Sequence, residues 1–291
     1  MSRSADPRRT PPPAAPAAPA PVPLLGVDFT CAPSRRKPIT VARGERMGGV
    51  VRLAAIDELA SLAEFEALLA RPGPWFGAFD FPFGLPREFV DALGLGADCD
   101  AVIAALRARC AGRMDFRALV DAWGNGRPPG RRLVHRATDT AQAVASSRPL
   151  QTRYVPVGFM YFEGLARLVA AGLALPGLRR GDPQRVAVEG YPGRLAHAVL
   201  GRRSYKNDAS AERLLARKDL IEALERGRTG TPSLGLRLRL SHAQRDAIVD
   251  DTGGDRIDAV LCLLQAAWAQ AQPGHGVPPH TDPVEGWIVG P

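Results

Sequence analysis

Three short and almost continuous apolar runs stand far apart in the chain, Pro23 to Cys31, Trp75 to Phe79 and Arg185 to Glu189. Each is tied to one acid: Asp28 lies inside the first, Asp80 ends the second and Glu189 ends the third. Apolar runs of strand length, bounded by turn formers, read as buried strands. An ionised carboxylate in such a strand is costly unless a cation or hydrogen-bond donors meet it. Any fold built on these strands must therefore account for their acids.

Around these runs the pattern predicts an α/β fold. Leu24, Leu25, Val27 and Phe29 supply strand-forming bulk and Gly26 permits close backbone approach. Ile39 to Ala42 and Gly48 to Leu53, joined by Arg43-Gly44-Glu45, read as a hairpin, so the chain opens with three consecutive antiparallel strands. Glu58 to Ala70 has helical spacing and stops at Arg71-Pro72-Gly73-Pro74. Trp75 to Phe79 is expected beside the first strand and parallel to it, with Pro82 and Pro86 preventing its continuation. From about 86 to 182 the texture is that of a helical insertion, with helices at Phe89 to Leu93, Val102 to Cys110, Phe116 to Trp123 and Phe159 to Ala170. After the strand ending at Glu189, helices follow from about Leu195, over Glu212 to Glu225 and over Asp255 to Gln270. No internal repeat is present. The predicted layout is a Pro/Ala-rich disordered tail over 1–23 and one domain over 24–291, interrupted by the insertion.

Charge narrows the partners. The chain has 38 Lys plus Arg against 30 Asp plus Glu, a net +8. Only Lys37, Lys206 and Lys218 are lysines, so the excess is one of arginine, whose planar fork suits phosphate oxygens. Nucleic acid is the expected partner, although a GC-rich genome also writes Arg for Lys. Every apolar run is interrupted by charge before it reaches the ~20 residues a membrane span needs. The four cysteines have neither disulfide-like nor zinc-like spacing, and residues 1–23 lack the apolar segment of a secretory signal, so a cytoplasmic location is expected.

If the strand acids converge, repulsion becomes decisive, because two unit charges ~4 Å apart repel by about 4 kcal/mol at an effective dielectric near 20. A divalent cation relieves it, and an oxygen-only ligand set points to Mg²⁺ or Mn²⁺. Each acid also has a structural reading. Asp80 can form a turn before Phe81-Pro82, Glu189 can pair with an arginine, and Asp255 can cap the last helix with Asp258 as its partner. Asp28 has no turn beside it and is the hardest to explain structurally.

The segments GVDFTCAPSRRKPI (26–39), FGAFDFPFGLP (76–86), HRATD (135–139), VGFMYFEG (157–164), EGYPG (189–193) and DRIDAVLC (255–262) resemble domain-of-unknown-function family 429, a family of predicted ribonuclease-H-like nucleases. The resemblance implies a ribonuclease-H-like mixed sheet flanked by helices, in which an early strand, a neighbouring strand and a late helix each contribute an acid. Carried over, Asp28 is the central metal ligand, Asp80 the second, Asp258 the helix ligand and Glu189 an additional one. The pair Asp255 and Asp258 looks like the paired helix acids of Holliday-junction resolvases. The implied activity is phosphodiester hydrolysis by two carboxylate-held cations.

Candidate phosphate contacts are Arg35, Arg36 and Lys37 after the first strand, Lys206, and Arg131, Arg132 and Arg136 in a basic flap over the site. Each can instead be a solvated or locally paired cation, Arg136 with Asp139 in particular. Phe159, Tyr161 and Phe162 fit core packing better than base stacking. Two other functions compete. A phosphotransferase of the actin and sugar-kinase type would use Asp251-Thr252-Gly253-Gly254 as a phosphate loop, but the first strand lacks the glycine that close phosphate approach needs. A non-catalytic nucleic-acid-binding module would keep the core without the chemistry.

Overall fold

In the computed structural model the described residues are 21–128, 130–142, 149–230 and 232–291. Most of the expected tail, residues 1–20, lies outside them. Val22 already packs on the core and the Pro23 carbonyl accepts from Phe76 N at 2.9 Å, so the fold begins just before the first strand.

β1 (Leu24–Asp28), β2 (Ile39–Met47) and β3 (Val50–Leu59) are consecutive antiparallel strands. The hairpin turn differs from expectation. Arg43, Gly44 and Glu45 are paired inside β2, and the chain reverses at Gly48-Gly49, where Gly48 takes φ +60°. Gly44 serves packing instead, since a Cβ there would lie 2.5 Å from the Arg52 carbonyl oxygen. The longer β3 uses residues expected to begin a helix. α1 (Leu62–Leu69) starts after Ser61, whose hydroxyl accepts from Glu64 N at 3.1 Å, and it buries Phe65, Leu68 and Leu69.

β4 (Trp75–Asp80) pairs with β1 in parallel, and β6 (Asp182–Glu189) pairs with β4 in parallel. The two-residue β5 (Leu173–Ala174), which falls within the stretch expected to be helical, and β7 (Arg237–Arg239) complete the order β5-β6-β4-β1-β2-β3-β7. Between β4 and β5 come α2 (Arg87–Leu93), α3 (Cys99–Arg109), α4 (Arg113–Asn125), α5 (Ala137–Ala141) and α6 (Val157–Ala170). After β6 come α7 (Pro192–Leu200), α8 (Ala211–Glu225), α9 (His242–Val249) and α10 (Asp255–Gln270).

The sheet is covered on both faces, and strand alternation sorts the side chains between them. Leu25, Val27, Phe29 and Phe79 join α1 and the helices α2, α3, α4 and α6 in one apolar core. Leu24, Phe76, Ala78, Val186 and Val188 join α7 to α10 in the other. Phe159, Tyr161 and Phe162 are buried in the first core, with Phe162 stacked on Phe116 at 5.2 Å. α10 is buried on nearly every side from Ile257 to Ala267 and lies directly on β1. That approach depends on Gly26: a Cβ there would sit 2.1 Å from both the Ala259 oxygen and the Leu263 nitrogen. Among the described residues no helix is long and apolar enough to cross a membrane.

Candidate metal centre

Asp28 and Asp80 are direct cross-strand partners at the C-terminal ends of β1 and β4. They continue the alternation of Gly26 and Ala78, so both project to the α10 face. Gly26 lets α10 settle onto β1, and Asp258 in its first turn then reaches the same spot. One oxygen from each of Asp28, Asp80 and Asp258 lies within 4.8 Å of the others. Asp258 is buried, while Asp28 and Asp80 keep partial access to solvent.

The charge crowding is visible in the acids. Burial pushes the Asp28 carboxyl well above its usual range, and the charges of Asp80 and Asp255 raise it further, against the lowering effect of Lys206 and Lys37. Burial also raises Asp80, to about 6, with Lys206 opposing and Glu189 adding to the shift.

Lys206 stands among these acids instead of waiting in a solvated loop. Its Nζ donates to Asp258 Oδ2, while the Tyr205 hydroxyl donates to Asp258 Oδ1. The loop is fixed from behind by the buried Arg217 of α8, whose Nη1 donates to the carbonyls of Tyr205 at 3.0 Å and Asp208 at 3.2 Å. Asn207 N donates to the Thr252 carbonyl at 2.9 Å, tying the same loop to the start of α10. Sequence reasoning does not single out Tyr205. A compositional signal does exist: in a chain with three lysines, two of them, Lys37 and Lys206, act on these carboxylates.

Glu189 is a correction. In the β4–β6 register it pairs with Phe79, not Asp80, and so projects to the opposite face. There both its oxygens accept from Arg136, at 2.6 and 2.8 Å, and Oε2 also accepts from Phe83 N at 2.8 Å. Arg136, expected to meet substrate, is corrected with it, being 2 % exposed. Its Nε and Nη2 donate to Asp139, its Nη1 and Nη2 to Glu189, and Nη1 also to the Glu285 carbonyl at 3.0 Å. All five of its N–H groups are thereby used, and the pairing with Asp139 belongs to a buried network instead of the surface.

Asp255 lies outside the triad but belongs to the same field. Burial raises its carboxyl, Lys37 lowers it and Asp251 raises it. It does not cap α10. The cap is Gly254 at φ +81°, and Asp255 is the first helical residue. Asp251 takes the local donors, accepting Gly253 N at 3.0 Å and Arg256 N at 2.8 Å on its carboxylate and Gly254 N at 3.2 Å on its carbonyl.

The remaining expected cations divide. Arg35, Arg36 and Lys37 are exposed, and Arg35 and Arg36 line a charged cleft of about 560 Å³ with Asp251 and Asp255. Arg131 and Arg132 are exposed and, among the described residues, form no ion pair, but neither lines the cleft beside Asp80.

Comparison with known proteins adds one match: the model of a family described as "Protein of unknown function (DUF429)" covers residues 26–283. No curated protein and no solved structure matches the chain.

Proposed function

The chain belongs to the DUF429 family, and we propose that it hydrolyses phosphodiester bonds of nucleic acid using Mg²⁺ or Mn²⁺ held by Asp28, Asp80 and Asp258. The observation that carries this reading is the convergence of three carboxylates from β1, β4 and α10, distant in sequence, within 4.8 Å. Oxygens held by one Mg²⁺ at roughly 2.0–2.1 Å lie up to about 4.2 Å apart, close to the limit within which these three fall. The donor set is oxygen only, which suits these ions better than zinc. The raised carboxyls of Asp28 and Asp80 also favour a compensating positive charge, which Lys206 supplies only in part.

A cation bound there would polarise the scissile phosphate and acidify the attacking water. The chain's own residues do the positioning. Asp28 stands on β1, which pairs with the strand of Asp80 and packs directly against the helix of Asp258, and is the natural shared ligand. Tyr205 fixes the Asp258 carboxylate, and Lys206, which lines the cleft with Asp80, can turn to an incoming phosphate. A second cation would draw on Asp255, since Glu189 is committed to Arg136. The phosphotransferase alternative needs loop donors aimed outward at a phosphate, whereas the N–H groups after Asp251 turn inward onto it.

The test incubates purified protein with labelled single-stranded, duplex, hybrid and junction substrates, with Mg²⁺ or Mn²⁺, beside Asp28→Asn. Cleavage that requires the metal and disappears in the variant is expected. Equal cleavage by the variant overturns the assignment of the metal site to these carboxylates, and no cleavage by the wild type on any substrate overturns the proposal and leaves the non-catalytic binding module.

A further inference from the structure

We infer that the apolar pocket beside Asp80 receives one unpaired nucleobase of the substrate strand, so that the strand is single or splayed where it is cut. This rests on the hydrolytic reading above and adds a substrate class to it. The pocket holds about 250 Å³ and opens between the end of β4 and the start of α6. Phe81 and Pro82 form one wall, Val155, Val157 and Met160 another, and Ile288 contributes to the lining. Its volume is below the ~300 Å³ at which pockets for drug-sized ligands begin, so it suits a single ring system and not a stacked pair.

Its polar boundary says what the ring is attached to. Asp80 and Lys206 belong to the same lining, so a group held against the apolar walls places its phosphate at the carboxylate cluster. Arg136, Asp139 and Glu189 also line the pocket, but the guanidinium spends its donors within that network. The base is therefore accepted by shape and apolar packing, and its identity is only weakly read. Paired bases inside a duplex cannot enter without being extruded.

The mouth supplies the second observation. Tyr154 is 97 % exposed and Val155 61 % exposed, two large apolar side chains left in solvent beside a cleft that Val155 lines. Tyr154 also takes φ +63°, a conformation that bulky residues rarely adopt. An exposed phenol ring there offers a stacking surface to the base next to the bound one.

The experiment measures binding in Ca²⁺ by fluorescence anisotropy. Its probes are a short labelled single strand, the same strand with one abasic nucleotide moved along it, the blunt duplex and a cyclic dinucleotide. Proteins are the wild type, Tyr154→Ala and Val155→Trp, both at exposed positions, with folding checked by thermal melting and Mg²⁺ affinity by calorimetry. The wild type should bind the intact strand at least fivefold more tightly than the duplex, and more tightly than the strand abasic at one position. Each variant should lose about fivefold or more of that affinity with Mg²⁺ binding unchanged. Equal binding of intact and abasic strands, unchanged variants, or tighter binding of the cyclic dinucleotide overturns the inference. Cleavage indifferent to the abasic position removes the base pocket and leaves hydrolysis standing. Base-dependent binding without any cleavage does the reverse.

Discussion

Replacing Asp80 by Asn tests the electrostatics of the centre without reference to any substrate. The Asp80 carboxyl is raised from 3.8 to about 6 in the folded protein. A raised carboxyl means that the native state binds this proton more tightly than the unfolded state does, so the group's contribution is most favourable below pH 3.8. Stability is lost as pH rises through about 6 and stays lost above it. A shift of this size corresponds to about 3 kcal/mol at pH 7, at 1.36 kcal/mol per pH unit. Asn has nearly the same shape and no charge to desolvate. It also removes the Asp80 contribution that helps raise Asp28. In EDTA the variant should melt level with wild type near pH 4 and about 6–12 °C above it at pH 7.5, taking roughly 2–4 °C per kcal/mol for a chain of this size. Mg²⁺ at about a thousand times its Kd should reverse the order, because it then stabilises the protein that binds it by about 4.1 kcal/mol. The measurement is a series of paired thermal melts from pH 4 to 8, with and without metal. Parallel traces in EDTA would show that Asp80 titrates normally and would remove the repulsion on which the metal argument rests.

Gly26→Ala should destabilise the protein by about 1–3 kcal/mol or more, since its methyl meets the α10 backbone, and should weaken Mg²⁺ binding in calorimetry by moving Asp258 away from Asp28. Arg136→Met should cost about 3–5 kcal/mol in denaturant unfolding, because Glu189 and Asp139 are left buried without their cation. If Glu189 were instead a metal ligand, Glu189→Gln would lower Mg²⁺ affinity, and calorimetry should show no such change. Arg131→Ala with Arg132→Ala should lower the slope of log affinity against log salt by roughly 0.7–0.9 for each phosphate that is no longer neutralised, and an unchanged slope makes both residues surface solubilisers.

What the sequence reveals of this site follows from which interactions are local. Asp28 and Asp80 can be found because each interrupts or ends a short apolar run, and the parallel pairing of β1 with β4 follows from two such runs separated by a helix. Glu189 looks the same in sequence, yet the register offset between β4 and β6 sends it to the other face. Only the pairing of Phe79 with Glu189 reveals this. The sequence marks the local pairing of Arg136 with Asp139 but not the burial of Arg136, because that depends on a second carboxylate, Glu189, brought from β6. The hairpin is easily misplaced because a glycine reads as a turn, whereas Gly44 is needed for close packing and Gly48-Gly49 makes the reversal. β5 and β7 are too short to register any alternation.

The order of the three ligands along the chain gives biosynthesis a direction. Asp28 and Asp80 leave the ribosome with the strands that pair them, while Lys206 and the third carboxylate are still unmade. Until α10 arrives and seats on Gly26, the emerging chain holds two facing carboxylates and nothing to complete a centre. On the hydrolytic reading, a protein that cuts nucleic acid is thus translated beside ribosomal and messenger RNA in a form that lacks the means to cut it, and it becomes competent only when its last helix docks.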